Sequence, residues 1–350
     1  MSIYRQQPNY TSKPTFVKRL GKLLFILLIL AGIASAIFLI FFRGYVVDTP
    51  HGPRLELPFL AKKSHANPVF SEDSSITVPE ESKQSMLTPL HAIRLSLDSV
   101  MDGTVQRQME QAECNAVILD MRSEDGSLHY VSDLSLAIES ESSAALPGLN
   151  EAIRSMNRNP SLYTIARVSC FPDAKLAASA PDLALQRASG VPWRDSSQTS
   201  WLSPHCDVVQ NYLFDICREL ADLGFDEILL TNCAYPTQGA RSQTYGSSND
   251  SIEALSVTME DFYQEMRSIL DAEAVHLSIL WEPSPTNEED QELSGQKLDT
   301  LILTADRVWM ENDYEDAAEV FSAHGLSFSN PSLVSIRSNF GNSSFSWAIL

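Results

Sequence analysis

A chain of 350 residues with 44% hydrophobic content can bury a substantial core, and about 250 residues suffice for one α/β barrel. Its 45 acidic residues outweigh 25 basic ones, giving a formal net charge of -20; such an anion repels nucleic-acid phosphates, no aromatic-studded basic patch offsets it, and a neutral polar ligand suits it better. The five cysteines Cys114, Cys170, Cys206, Cys217 and Cys233 form no CxxC pair and no zinc-ligand spacing, so no metal or other cofactor is indicated.

Residues 23–42 (LLFILLILAGIASAIFLIFF) carry no charge. As a helix they would reach roughly 30 Å, the thickness of a bilayer's hydrocarbon core. The sequence therefore predicts a transmembrane helix in contact with lipid. Arg5, Lys13, Lys18, Arg19 and Lys22 precede it and Arg43 follows, a bias that places residues 1–22 in the cytoplasm and the body outside the cytoplasmic membrane. A cleaved export signal is the competing reading, but its apolar region normally spans only about 7–15 residues. Residues 43–87 are mixed and Pro-rich, and SEDSSITVPEESKQS at 71–85 reads as an acidic extracytoplasmic spacer. Alternating apolar positions across 45–60 suggest a small strand pair.

From residue 88 the text alternates between strand and helix. Residues 91–97 (HAIRLSL) predict a strand, 101–112 a helix, and 115–120 (NAVILD) a buried strand ending in Asp120. Asp125 and Gly126 form a turn signal before LHYVS, which predicts a short hairpin. Leu149, Ile153 and Met156 share a helical face, and 161–168 (SLYTIARV) reads as the next strand. Val209, Leu213, Ile216, Leu220 and Leu223 keep the 3.6-residue period of a helix over 205–223, with Pro204 before it and Gly224 at its end. A strand over 227–231 (EILLT) follows directly. Asp250 and Glu253 then form a capping-box pattern ahead of a helix whose face carries Leu255, Met259, Phe262, Met266 and Ile269. Residues 275–280 and 307–310 read as strands and 296–304 and 314–321 as helices; 332–336 and 345–350 complete the strands. Strands apolar on both faces and separated by amphipathic helices imply a parallel sheet. Eight such strands over 88–350 predict an α/β fold, a TIM-like (β/α)8 barrel. Only residues 337–344 separate the last two strands, too few for a crossover helix. The final unit is then abbreviated, or closure is incomplete or locally antiparallel.

In such a barrel, chemistry sits where the strands' C-terminal ends meet the βα loops. Asp120, Arg122, Glu124 and Asp125 follow the second strand, Arg167 lies late in the third, and Glu282 follows the fifth. A glycosidase needs two carboxylates, one to protonate the leaving oxygen and one to act as nucleophile or water activator; Asp120 and Glu282 are the best pair by position. An aspartate after a strand is also an ordinary turn or cap residue. The long loop 169–204 carries Trp193, Arg194, Asp195 and Trp201, whose indole faces suit the C–H surfaces of sugars, although such rings equally serve loop packing. Tyr130 is placed in the same cleft, and His205 is more readily polar surface than a base.

Three segments together resemble the DUF4015 family of glycosyl hydrolase domains: NAVILDMRSEDGSLHYVSDL (115–134), YTIARVSCFPDAKLAASAPDLAL (163–185) and VPWRDSSQTSWLSPHCDVVQNYLFDICRELADLGFDEILL (191–230). The resemblance runs over about 88–350, is closest over 115–236, and implies a TIM-type barrel and a polysaccharide or other glycan as partner. It equates Asp120 with the aspartate of the family's second-strand motif and puts Arg122 in place of its usual lysine. Arg167, the Trp193, Arg194, Asp195 triplet and the Trp201 to Pro204 element match as well, implying substrate-holding roles for Arg122, Arg167, Trp193, Asp195, Trp201 and Tyr130. After the fourth strand the family's acidic position is Thr231 and its basic one Ala234, and a threonine offers no carboxylate. The text after the sixth strand, Val308, Trp309, Met310 and Glu311, also departs from the family pattern. Either a working hydrolase or a catalytically inactive carbohydrate-binding or structural surface protein is compatible with these departures. Cys170 and Cys233 would follow neighbouring barrel strands, which makes them the pair to test for a disulfide, with buried thiols the plainer expectation.

Overall fold

The computed structural model describes residues 46–49, 52–55, 88–187, 189–237, 252–282, 292–311, 319–320, 322–323, 325, 331–338 and 345–350. The chain divides into two compact units, residues 1–76 and 77–350. Within the first, β1 (Val46–Thr49) and β2 (Gly52–Leu55) form a two-stranded antiparallel ribbon, the strand pair anticipated from the alternation over 45–60. The predicted membrane helix over 23–42 lies outside the described residues. Among the described residues no helix is long and apolar enough to cross a membrane.

The second unit is a closed, all-parallel eight-stranded barrel. Its strands are β3 (His91–Leu95), β4 (Ala116–Arg122), β5 (Tyr163–Ser169), β6 (Glu227–Thr231), β7 (His276–Trp281), β8 (Arg307–Met310), β9 (Leu333–Ile336) and β10 (Ser346–Ile349). β10 pairs in parallel with both β9 and β3, so the short link between the last two strands still carries a parallel return and the ring closes without a free edge. The incomplete and antiparallel alternatives are thereby excluded.

Two buried apolar shells follow from the period-2 alternation of each strand. Ala92, Ala116, Ile118, Ile165, Leu229, Leu280, Trp309, Val334 and Ala348 fill the barrel interior. The opposite positions, such as Val117, Leu119, Val168, Ile228, Leu230 and Ile279, pack outward under the helices. The longest of those helices among 88–237, Asp207–Asp222, buries Val209, Leu213, Ile216 and Leu220 completely. Each such side chain contributes roughly 1.5–3 kcal/mol of burial. Gly224 ends this helix with φ +90, the left-handed turn that a glycine adopts without steric cost. Toward the strands' N-terminal ends the interior turns polar. Glu227, wholly buried, accepts hydrogen bonds from Tyr163 Oη (2.8 Å) and Ser278 Oγ (2.5 Å) and is ion-paired with Arg307. A buried charge of this kind is tolerated because its lone pairs are matched.

Candidate functional site

The interior apolar ring fixes which side chains can reach the barrel mouth. Two residues beyond each ring member toward the strand's C-terminal end stand Arg94, Asp120, Arg167, Thr231, Glu282, Glu311, Ile336 and Leu350. The alternation that packs the ring thus delivers titratable groups on five of the eight strands, β3, β4, β5, β7 and β8, to one end of the barrel.

A cavity of about 460 Å³ opens at this end, lined in part by Glu124, Asp195, Trp201, Asn232, Tyr235, Trp281, Glu282 and Glu311. Its floor is organised around Glu282. The Glu282 backbone N–H donates to Gln296 Oε1 (2.9 Å), and Gln296 Nε2, itself buried, donates to the carbonyl of Leu280 (3.1 Å), pinning the end of β7. The carboxylate accepts the backbone N–H of Asn232 at 2.9 Å. Asn232 has φ +47, a left-handed conformation that asparagine tolerates better than most residues. Its side chain donates to Ser169 Oγ (3.0 Å) and Glu124 Oε1 (3.4 Å), holding the turn after β6 in this shape. Burial pushes the Glu282 carboxyl up to about 7, opposed by the Asn232 N–H, reinforced by the nearby negative charge of Glu311, relieved by Arg167 and raised further by Glu124. A carboxyl group poised there is half-protonated at neutral pH, the condition for a general acid.

The other expected carboxylate, Asp120, faces the same end of the barrel but is held differently. Arg94 is ion-paired to its Oδ2, and Arg167 Nη1 donates to Oδ1 at 3.1 Å, so a guanidinium engages each oxygen. Arg167 links the two carboxylates electrostatically, since it bonds Asp120 and acts on Glu282. The cavity wall itself is formed by Glu311 and Glu124 rather than by Asp120. Thr231, at the family's acidic position, is buried, with its hydroxyl directed at the carbonyl of Val168 (3.5 Å).

The long loop after β5 folds into a stack of antiparallel bridges, Pro172 with Trp201, Ala184 with Leu202, Gln186 with Pro192 and Arg194 with Ser200. This layering gives the loop two faces. Asp195 and Trp201 line the cavity, with Trp201 Nε1 donating to Asp195 Oδ2 and the Thr199 N–H to Asp195 Oδ1, each at 2.9 Å. Trp193 lies on the other face, only 2% exposed within the hydrophobic core, so it packs the loop and does not meet a ligand.

Arg122 and Tyr130 also stand away from the cavity. The register of β4 against β5 slips between Asp120 and Arg122, a bulge that turns the next side chain out of the alternation. Arg122 is consequently sealed beneath the loop, donating to the carbonyls of Ser169 and Cys170 and to Asp173 Oδ2 (2.5 Å). Asp173, completely buried, also accepts the Leu176 N–H at the start of the following helix (2.7 Å). Tyr130 follows the predicted 125–126 turn, whose Arg122–Leu128 bridge is antiparallel as expected. It is buried against the 207–222 helix and donates to Glu219 Oε2 at 2.8 Å. His205 is exposed, 3.0 Å from Thr258 Oγ1, with its ring edge toward Tyr235. All five cysteines are free thiols, and Cys170 and Cys233 lie against each other, wholly buried. Among the described residues no cluster of His, Cys, Asp and Glu is arranged to hold a metal ion.

Sequence reasoning passed over Asn232, Tyr235, Trp281 and Glu311 as site residues. Glu311 had a signal: it stands two residues beyond Trp309 as Glu282 stands two beyond Leu280. Asn232 had none, since a left-handed backbone at a non-glycine residue leaves no periodic trace.

Among solved structures, the chain is similar to a hypothetical protein from Ruminiclostridium thermocellum, at 24% identity over 53% of this chain and 96% of that one, with a TM-score of 0.46. It is also similar to the glycoside hydrolase domain of PelA from Pseudomonas aeruginosa, at 12% identity over 71% of this chain and 84% of that one, TM-score 0.39. A third similarity is to Aspergillus fumigatus Ega3, at 11% identity over 75% of this chain and 90% of that one, TM-score 0.41. No curated protein matches the chain. The sequence profile of DUF4015, described as "Putative glycosyl hydrolase domain", matches residues 92–309. With well over half of its length inside that match, and a closed parallel barrel to carry it, the chain belongs to the DUF4015 family of glycosyl hydrolase-like domains.

Proposed function

We propose that this protein is a membrane-anchored, extracytoplasmic glycoside hydrolase that cleaves polysaccharide. The observation that carries the proposal is Glu282: a carboxyl group raised to about 7, pinned by the Asn232 N–H, in a cavity also walled by Trp201, Trp281 and Tyr235. In this reading Glu282 donates its proton to the glycosidic oxygen as the C–O bond breaks. A second carboxylate of the same cavity, Glu311, either attacks the anomeric carbon or takes a proton from the water that does. The aromatic side chains stack on sugar faces and Arg167 holds Asp120 and a substrate hydroxyl in place. Residues 23–42 would supply the anchor and residues 43–87 the spacer.

Incubation of the purified chain with a panel of cell-surface and environmental polysaccharides, read by reducing-end release, tests the activity. Cleavage that drops by about a thousandfold in Glu282→Gln is expected; undiminished cleavage in that variant rejects the assignment. Carbonate extraction and protease protection of membranes test the anchor and the side on which the body lies. A second reading, a glycan-binding protein without turnover, is favoured by the absence of a carboxylate at Thr231 and by the engagement of both Asp120 oxygens. It predicts glycan binding with no reducing-end release.

A further inference from the structure

Carboxylates dominate the cavity wall: Glu124, Asp195, Glu282 and Glu311 line it, and among the described lining residues there is no lysine or arginine. Two of them have assigned partners. Glu282 takes the Asn232 N–H, and Asp195 uses both oxygens to hold Trp201 and Thr199. Glu311 is exposed and forms no hydrogen bond or ion pair among the described residues, while Glu124, also exposed, has one long contact with Asn232. Two arginines at this end of the barrel, Arg94 and Arg167, are both bound to Asp120. The charged side chains among the described residues of the cavity lining are thus all acidic. Glu311 and Glu124 line the same cavity as Glu282 and act on it by repulsion.

Hydroxyl groups of a neutral sugar would hydrogen-bond to such a wall but leave its charge uncompensated. A charged amine on the ring would compensate it, and carboxylate–ammonium bonds in a partly enclosed cavity are stronger than those to a hydroxyl. An anionic sugar, bearing a carboxylate or sulfate, meets repulsion from Glu124 and Glu311 before it reaches Trp201 or Trp281. We infer that the cavity is selective for cationic glycans, polymers of hexosamine whose amines are free rather than acetylated, with Glu311 and Glu124 as the ammonium-binding carboxylates and the aromatic rings as the stacking surface. This rests on the glycan-site reading and names its substrate class. The nearest reaction before this one would be an amide hydrolysis that strips acetyl groups from an N-acetylhexosamine polymer.

Binding to the full chain in detergent micelles can be read by tryptophan fluorescence, since Trp201 and Trp281 line the cavity. The Glu282→Gln background removes turnover from the measurement. The probes are tetramers of glucosamine and of galactosamine, each beside its N-acetylated and its neutral hexose counterpart. The free amine should bind at least about tenfold tighter than both counterparts in one series or the other, and raising salt from about 0.05 M to about 0.5 M should erase most of that margin. Glu311→Gln and Glu124→Gln should each weaken the free-amine tetramer severalfold more than they weaken the neutral one. Equal or tighter binding of the acetylated or neutral tetramers in both series, or no binding by any tetramer, overturns the inference. The hydrolase proposal stands or falls separately: wild-type cleavage without amine preference refutes selectivity alone, and amine preference without cleavage refutes hydrolysis alone.

Discussion

At Glu282 a single proton connects stability with chemistry. Its folded-state value near 7 lies above the ordinary 4.5. The folded protein therefore holds that proton more tightly than the unfolded chain between about pH 4.5 and 7, and stability falls as pH rises through this window. Glu282→Gln should accordingly be more stable than wild type at pH 8, by roughly 1–3 kcal/mol, and about equal to it near pH 4. Denaturant midpoints at the two pH values check this. The same proton sets the alkaline limb of any hydrolysis, which should fall away above about pH 7. Asn232 supplies the complementary test. Asn232→Gly and Asn232→Ala both lose the side-chain bonds to Ser169 and Glu124, but glycine keeps the left-handed turn and the N–H on Glu282 without strain, whereas alanine strains the backbone. Alanine should lower stability by about 1–2 kcal/mol more than glycine does, as judged by urea denaturation. Neither role was readable from residue order alone: the carboxylate's position was, because it directly follows the fifth barrel strand, but its protonation depends on groups contributed by the ends of β4, β5, β6 and β8.

Elements were more legible than sites. The strands over 227–231 and 307–310 appear with the bounds that apolar runs predicted, and the 207–222 helix lies within its predicted span, because local periodicity and tertiary burial agree there. The βα loop 169–204 shows where that agreement ends. Its residues carry no period, so Trp193 and Trp201 look alike in the sequence, yet antiparallel bridging puts one in the core and the other on the cavity. The base of this loop depends on the Arg122–Asp173 ion pair, which has no access to water, and on Gly126 packed against it. A Cβ on Gly126 would fall 2.0 Å from Asp173 Oδ1, at a φ of +92 that also disfavours alanine. Gly126→Ala should therefore cost about 3 kcal/mol or more, and thermal denaturation will show it. Arg122→Met, which leaves Asp173 charged and unpaired, should be comparably harmful. Burial already raises the Asp173 carboxyl against the pull of Arg122.

For the molecule as a whole, the thiols report how tightly the barrel is sealed. Cys114, Cys170, Cys217 and Cys233 are buried, and burial pushes Cys114 up to about 11 and the Cys217 and Cys233 thiols well above their ordinary range. Cys206 alone is partly exposed. A thiol reagent at pH 8 should modify Cys206 quickly and the other four only on unfolding, giving one fast equivalent in the native state and five in denaturant. The closure itself has a consequence for biogenesis. The seam of the ring joins β3 at residues 91–95 to β10 at residues 346–349, so the first strand of the barrel must wait for the last before its outer edge is covered. Chains truncated before residue 349 would present raw strand edges to one another. Burial of the β3 edge is therefore contingent on a segment about 250 residues further along the chain, the β10 strand at residues 346–349.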